Sequence, residues 1–160
     1  MPFTIQTQLM DLWCWAAVAA SIDAYLTTGA PREQCTIANA LTPGVECCPK
    51  KQECNQAQPL DLALGAVGRF LDMFDFPLAF EDLQRELDAN FPVCARIGWL
   101  GPDGGGHFVV IAGYSIAPSG ARMLKIRDPW YIDSTMEYSD FAEAYQAGRG
   151  EWTHSYRVKE

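Results

Sequence analysis

Cys14 lies in Trp13-Cys14-Trp15-Ala16-Ala17, where a polar loop runs into a nearly all-apolar stretch, and Gln8 stands six residues before it. A thiol at the start of a helix meets the positive end of the helix dipole, which favours thiolate. A glutamine on the preceding turn can donate a side-chain N–H to an oxyanion formed at that sulfur. Further along, His107 opens Phe108-Val109-Val110-Ile111-Ala112, and Asp128 follows Met123-Leu124-Lys125-Ile126-Arg127. An imidazole can take the thiol proton and return it to a leaving group, and a carboxylate on its other nitrogen fixes the tautomer and favours the imidazolium. These four residue types supply a nucleophile, an oxyanion donor, a base and an orienter for acyl transfer.

Each assignment has a competitor. The other histidine, His154, alternates with Trp152, Tyr156 and Val158 and reads as a sheet residue, which leaves His107 as the base. Gly104-Gly105-Gly106 before His107 allows close backbone approach. Asp128 precedes Pro129, and Asp-Pro is also a common turn pair. Asp103 and Asp133 are rival orienters, Asp103 being poorly fixed in its glycine-rich loop. Trp13, Trp15 and Trp130 have core packing as their plain reading, although Trp130 is placed to shield an Asp–His hydrogen bond from water.

The elements that must position these groups follow from periodicity. Asp11 is a suitable N-cap for a helix from about Leu12 to Leu26 whose apolar residues cover nearly every face, so it is expected to be central and buried. A short helix is expected over 34–41 and a Cys- and Pro-containing loop over 43–58. Pro59 starts a second longer helix with Leu60, Leu64, Val67 and Leu71 as its stripe, and Phe80, Leu83 and Leu87 mark a third that ends at Asn90. Residues 92–99, 107–115 and 122–128 read as strands, the last two joined by a turn at Ala117-Pro118-Ser119-Gly120; 138–147 reads as helix and 152–158 as a final strand. The expectation is one α+β domain over 1–160, with a helical half to about residue 90 and an antiparallel sheet half after it, Cys14 and His107 facing each other across the cleft between them.

The six cysteines divide by context. With Cys14 reserved as nucleophile and Cys94 in an interior strand, Cys35, Cys47, Cys48 and Cys54 remain. A bond between the adjacent Cys47 and Cys48 is strained, which leaves Cys35–Cys47 with Cys48–Cys54, or Cys35–Cys48 with Cys47–Cys54. Such staples suit a secreted or delivered protein; reduced thiols in a cytosolic loop are the alternative, and adjacent cysteines fit a zinc site poorly. The net charge of −8 argues against nucleic-acid binding and gives no support for docking on anionic membranes. No apolar run approaches the ~20 residues of a spanning helix. Met1-Pro2-Phe3 opens without a basic segment or an apolar one, so the expectation is retention in the cell or export by a route that needs no standard signal peptide.

Gln8-x5-Cys14-Trp15-Ala16, Gly106-His107-Phe108-Val109-Val110 and Asp128-Pro129-Trp130 together resemble the papain-like cysteine proteases. Within them, Cys14-Trp15-Ala16-Ala17 and the Cys47-Cys48…Cys54-Asn55-Gln56 segment are similar to the bacterial avirulence-effector type. Bacteriocin-processing peptidases are similar too, but carry Cys-Gly where this chain has Cys14-Trp15. The resemblance implies a papain-like fold and a cysteine endopeptidase with Cys14 as nucleophile, His107 as base and acid, Asp128 as orienter and Gln8 in the oxyanion hole. It implies no cofactor and no metal, a protein or peptide substrate, a monomer, and for a delivered toxin an inhibitor or immunity protein as partner. An amidase, isopeptidase or acyl transferase with the same machinery is the alternative enzyme, and a non-catalytic binding module the alternative of another kind.

Overall fold

The structure, a computed structural model, describes residues 1–49, 52–102 and 104–160. Among these residues five α-helices accompany a six-stranded sheet: α1 Cys14–Leu26, α2 Gln34–Leu41, α3 Leu60–Ala66, α4 Phe80–Asp88 and α5 Tyr138–Glu143. The strands are β1 Phe70–Phe74, β2 Val93–Trp99, β3 Gly106–Ile116, β4 Arg122–Arg127, β5 Ser134–Glu137 and β6 Gly150–Val158. Their order is β1-β6-β2-β3-β4-β5, antiparallel throughout. The fold is α+β, as expected.

Strand alternation sorts the core into two layers. Cys94 of β2 and Phe108, Val110 and Ala112 of β3 face α1, α2 and α3. Val93, Ala95 and Ile97 of β2, with Val109 and Ile111 of β3, face α4 and α5 through Leu83, Leu87 and Phe141. Helix α1 is buried from Cys14 to Asp23. Its alanines allow close approach from Ile37, Leu64 and Val110 at once. Asp23 at its far end is buried and ion-paired with Arg69 at 3.2 Å.

Four local expectations are corrected. The Leu60 helix does not continue to Leu71: Gly68, at φ +75°, ends it, with the Arg69 N–H returning to the Leu64 carbonyl, and Leu71 lies exposed on β1. Strand β1 pairs with β6, so the sheet reaches back into the first ninety residues. Asp11 is not the N-cap; Trp13 occupies that position without a side-chain cap. The helix expected over 138–147 stops at Glu143, and Gln146 and Ala147 adopt left-handed conformations in the turn that follows.

Candidate active site

Cys14 is the first residue of α1, where backbone N–H groups have no acceptor within the helix. The residue is 8% exposed, at the floor of a cleft of about 350 Å³ also lined by Gln8, Trp15, His107, Trp130 and Tyr131. The helix start is clamped by the loop before α3. The Trp13 indole N–H donates to the Cys54 carbonyl at 2.7 Å, the Trp15 indole to the Gln56 carbonyl at 2.9 Å, and the Leu12 N–H to Asn55 Oδ1 at 2.9 Å. That loop is itself stapled by Cys35–Cys48 and Cys47–Cys54 disulfides, the second of the two open pairings. Cys14 and Cys94 are the free cysteines among the described residues. Burial pushes the Cys94 thiol well above its ordinary value, as befits a core residue.

His107 and Asp128 meet through sheet register. Continuing the β3–β4 pairing beyond Val110↔Arg127 sets Asp128 opposite Val109, one diagonal step along the same face from His107. The His107 Nε2 and Asp128 Oδ1 atoms are 2.8 Å apart. Since Nε2 is engaged by Asp128, Nδ1 is the nitrogen left to meet Cys14, which with Asp128 is among the groups that favour the imidazolium. Burial opposes charge on this imidazole, but the hydrogen bonds and charges of Asp128 and Cys14 outweigh it and push the group up to about 9.

Asp128 is the most heavily bonded group in the cleft. Its Oδ1 also accepts the N–H groups of Trp130 and Tyr131 at 2.8 Å, and its Oδ2 accepts the Tyr145 hydroxyl at 2.5 Å. Burial favours the neutral acid, yet His107, Tyr145 and the Tyr131 N–H hold the carboxyl below its usual range. Asp133 does not approach His107; it accepts the Asp128 N–H at 3.2 Å and pairs with Arg127. Asp103 lies outside the described residues. His154 sits on β6 against the Thr153 hydroxyl and does not line the cleft that holds Cys14.

Gln8 lines the cleft, and its backbone N–H donates to the Pro129 carbonyl, joining the N-terminal segment to the Asp128 turn. Its amide nitrogen donates to the carbonyls of Met10 and Asp11 at 2.9 and 2.7 Å, and its buried Oε1 has no partner among the described residues. Sequence reasoning missed the aromatic box around His107. Trp99 stacks on the imidazole at 5.9 Å between centroids, Tyr131 meets it edge-on at 5.8 Å, and Trp99 also stacks on Tyr145. These rings, more than the half-exposed Trp130, flank His107. The strand read over 92–99 includes Trp99, but no local signal tied Tyr145 to Asp128.

The sequence model of the Peptidase_C39 like family matches residues 1–158. The chain belongs to the Peptidase_C39 like family. It is therefore placed among papain-like cysteine peptidases, a class of hydrolases, and the match is to this family rather than to the avirulence-effector type. No curated protein matches the chain. Among the described residues no helix is long and apolar enough to cross a membrane, and the two disulfides of this Peptidase_C39 like chain suit an oxidising compartment.

Proposed function

We propose that the chain is a cysteine endopeptidase working through Cys14, His107 and Asp128, with a thioester acyl-enzyme as intermediate. The observation that carries this is the buried imidazole bonded to Asp128 through Nε2, its other nitrogen turned to Cys14 at the floor of the cleft. The thiol gives its proton to His107, and the resulting thiolate attacks the scissile carbonyl. The oxyanion is met by the Cys14 N–H, free of intrahelical bonding. Gln8 contributes a second donor by exchanging one loop carbonyl for the oxyanion, each donor being worth roughly 3 kcal/mol in the transition state. His107 protonates the leaving amine and then activates the water that releases the acyl group.

Cys14→Ala and His107→Ala are expected to abolish turnover of a peptide substrate, and Cys14→Ala to abolish labelling by an epoxide thiol inhibitor. Unchanged turnover in either variant sinks the reading. A cross-linked product with an added amine would mark an acyl transferase instead, and inertness of the wild-type thiol toward electrophiles a binding module. The two disulfides and the likeness of the Cys47–Gln56 segment to effector proteases support export or delivery into another cell, where the substrate is a protein or peptide.

A further inference from the structure

Beside the catalytic cleft, sharing Gln58 on the helical wall and Gly106 and Phe108 on the sheet wall, lies a second cavity of about 460 Å³. Arg96 of β2 lines it, with His154 as its cross-strand partner on β6. Two glycines make room for the Arg96 side chain. A Cβ on Gly106 would stand 2.8 Å from the guanidinium Nη2, and one on Gly98 would stand 3.4 Å from Nη1. The guanidinium is thus laid along the backbone one residue before His107. It donates to the Thr153 hydroxyl at 3.0 Å and to the Gly105 carbonyl at 3.4 Å, and no carboxylate among the described residues pairs with it. Two bonds leave most of its five N–H donors unspent, in the fork geometry that suits a carboxylate. Asp61, an acidic residue that also lines the cavity, stands in the first turn of α3 and makes no ion pair with Arg96.

We propose that this cavity is a substrate side-chain subsite that selects an acidic residue next to the scissile bond, with Arg96 as its recognition group. The proposal rests on the peptidase reading for its place in a reaction, but the cavity's preference for a carboxylate can be measured without turnover.

In the first arm, a proteome-derived peptide library is digested with the wild-type protein and the cleavage sites are sequenced. Asp and Glu are expected to be enriched at one position adjoining the scissile bond, and a matched pair of peptides with Glu or Gln there should differ about tenfold in kcat/KM. Arg96→Gln brings that ratio toward one, and Arg96→Lys retains part of it. Cleavage that depends on Cys14 but shows no acidic preference overturns the subsite and leaves the peptidase reading standing. In the second arm, Cys14→Ala protein labelled with ¹⁵N is titrated with N-acetyl-glutamate amide and N-acetyl-glutamine amide. The glutamate compound is expected to shift the Arg96 Nε–H and the Gly105 and Gly106 amides at lower concentration than the glutamine compound. Equal responses, or none, overturn the subsite whether or not cleavage is observed in the first arm. Absence of any Cys14-dependent cleavage counts against the peptidase reading and leaves the titration to decide on Arg96.

Discussion

The two walls of the cleft hold Cys14 and the His107–Asp128 pair by different means. On the helical wall, Cys14 owes its place to α1, and the start of α1 is held by the loop whose Cys54, Asn55 and Gln56 receive hydrogen bonds from Trp13, Leu12 and Trp15. Among its described residues that loop contains a single 3-10 turn, and it is closed by the Cys47–Cys54 bond. On the sheet wall, His107 and Asp128 are placed by the register of β3 and β4 and buried among aromatic rings. The loop that braces one wall carries covalent cross-links. On the other, position follows from backbone pairing, and the chemistry is tuned by charge.

The sheet wall should break most sharply at its charge. Asp128→Ala leaves His107, the Tyr145 hydroxyl and two backbone N–H groups without their acceptor. A loss on the order of 10²–10⁴ in kcat/KM is expected from the unanchored base. Unfolding stability should fall by about 3 kcal/mol, the order of cost for breaking a buried pair. Circular dichroism on denaturant titration separates the two effects, and a variant with near-wild-type turnover would remove Asp128 from the mechanism. The pH dependence follows from the same pair. His107, raised from 6.5 to about 9, contributes stability that is present in full below pH 6.5 and lost as pH rises through about 9. Asp128, held below its ordinary 3.8, contributes stability present above that value and lost as pH falls through its lowered titration point. The activity profile should therefore lose its imidazolium near pH 9, and in Asp128→Asn that alkaline limb should move to lower pH.

The helical wall should break at its cross-links. Replacing Cys47 and Cys54 by serine opens a short loop and is expected to cost about 2–3 kcal/mol on the chain-entropy view. If the loop is what fixes Cys14, kcat/KM falls as well, while the His107 ring resonances keep their wild-type titration. Loss of stability with unchanged kcat/KM at low temperature would show that α1 needs no help from the loop.

The same contrast explains what was legible beforehand. Helix α1, helix α2, the β3–β4 hairpin and the pairing of Cys14 with His107 across a cleft all rest on local patterns: an apolar helix, a turn at Ala117–Gly120, a histidine at a strand edge. Strand β1 was hidden because Leu60, Leu64, Val67 and Leu71 keep a helical spacing across Gly68, and only the positive φ of that glycine breaks it. The four-residue β5 was hidden by length and polarity, since an edge strand draws its identity from its neighbour β4. The Asp128 network was half visible. His107 and Asp128 have the right types, but Trp99, Tyr131 and Tyr145 come from three separate segments and meet only through tertiary packing. Likewise, the commitment of the Gln8 amide to Met10 and Asp11 depends on loop geometry that composition does not encode.

Tyr145→Phe removes a single hydroxyl from the sheet wall and asks how finely that wall is tuned. The phenol is buried and donates to Asp128 Oδ2, while burial and the neighbouring carboxylate keep it far from ionising. Without it, Oδ2 loses a donor that favours the ionised acid, so the Asp128 titration should rise and the acid limb of the activity profile should move to higher pH. The stability cost should be about 1–2 kcal/mol, a buried acceptor losing one charge-assisted bond. Tyr145 acts through Asp128, so the pH profile is the informative readout: a stability loss with an unmoved acid limb would make the residue structural only. Trp15→Phe is the matching probe on the helical wall. It deletes the indole N–H that reaches the Gln56 carbonyl but keeps an aromatic ring in the core, and the exposure of Gln56 lets water replace the lost donor. We expect the smaller effect here, about 1 kcal/mol or less in stability and no shift in either limb, because this contact carries position and no charge. A shifted limb in Trp15→Phe would mean that the loop also tunes the thiol–imidazole pair, and the division of labour between the two walls would have to be redrawn.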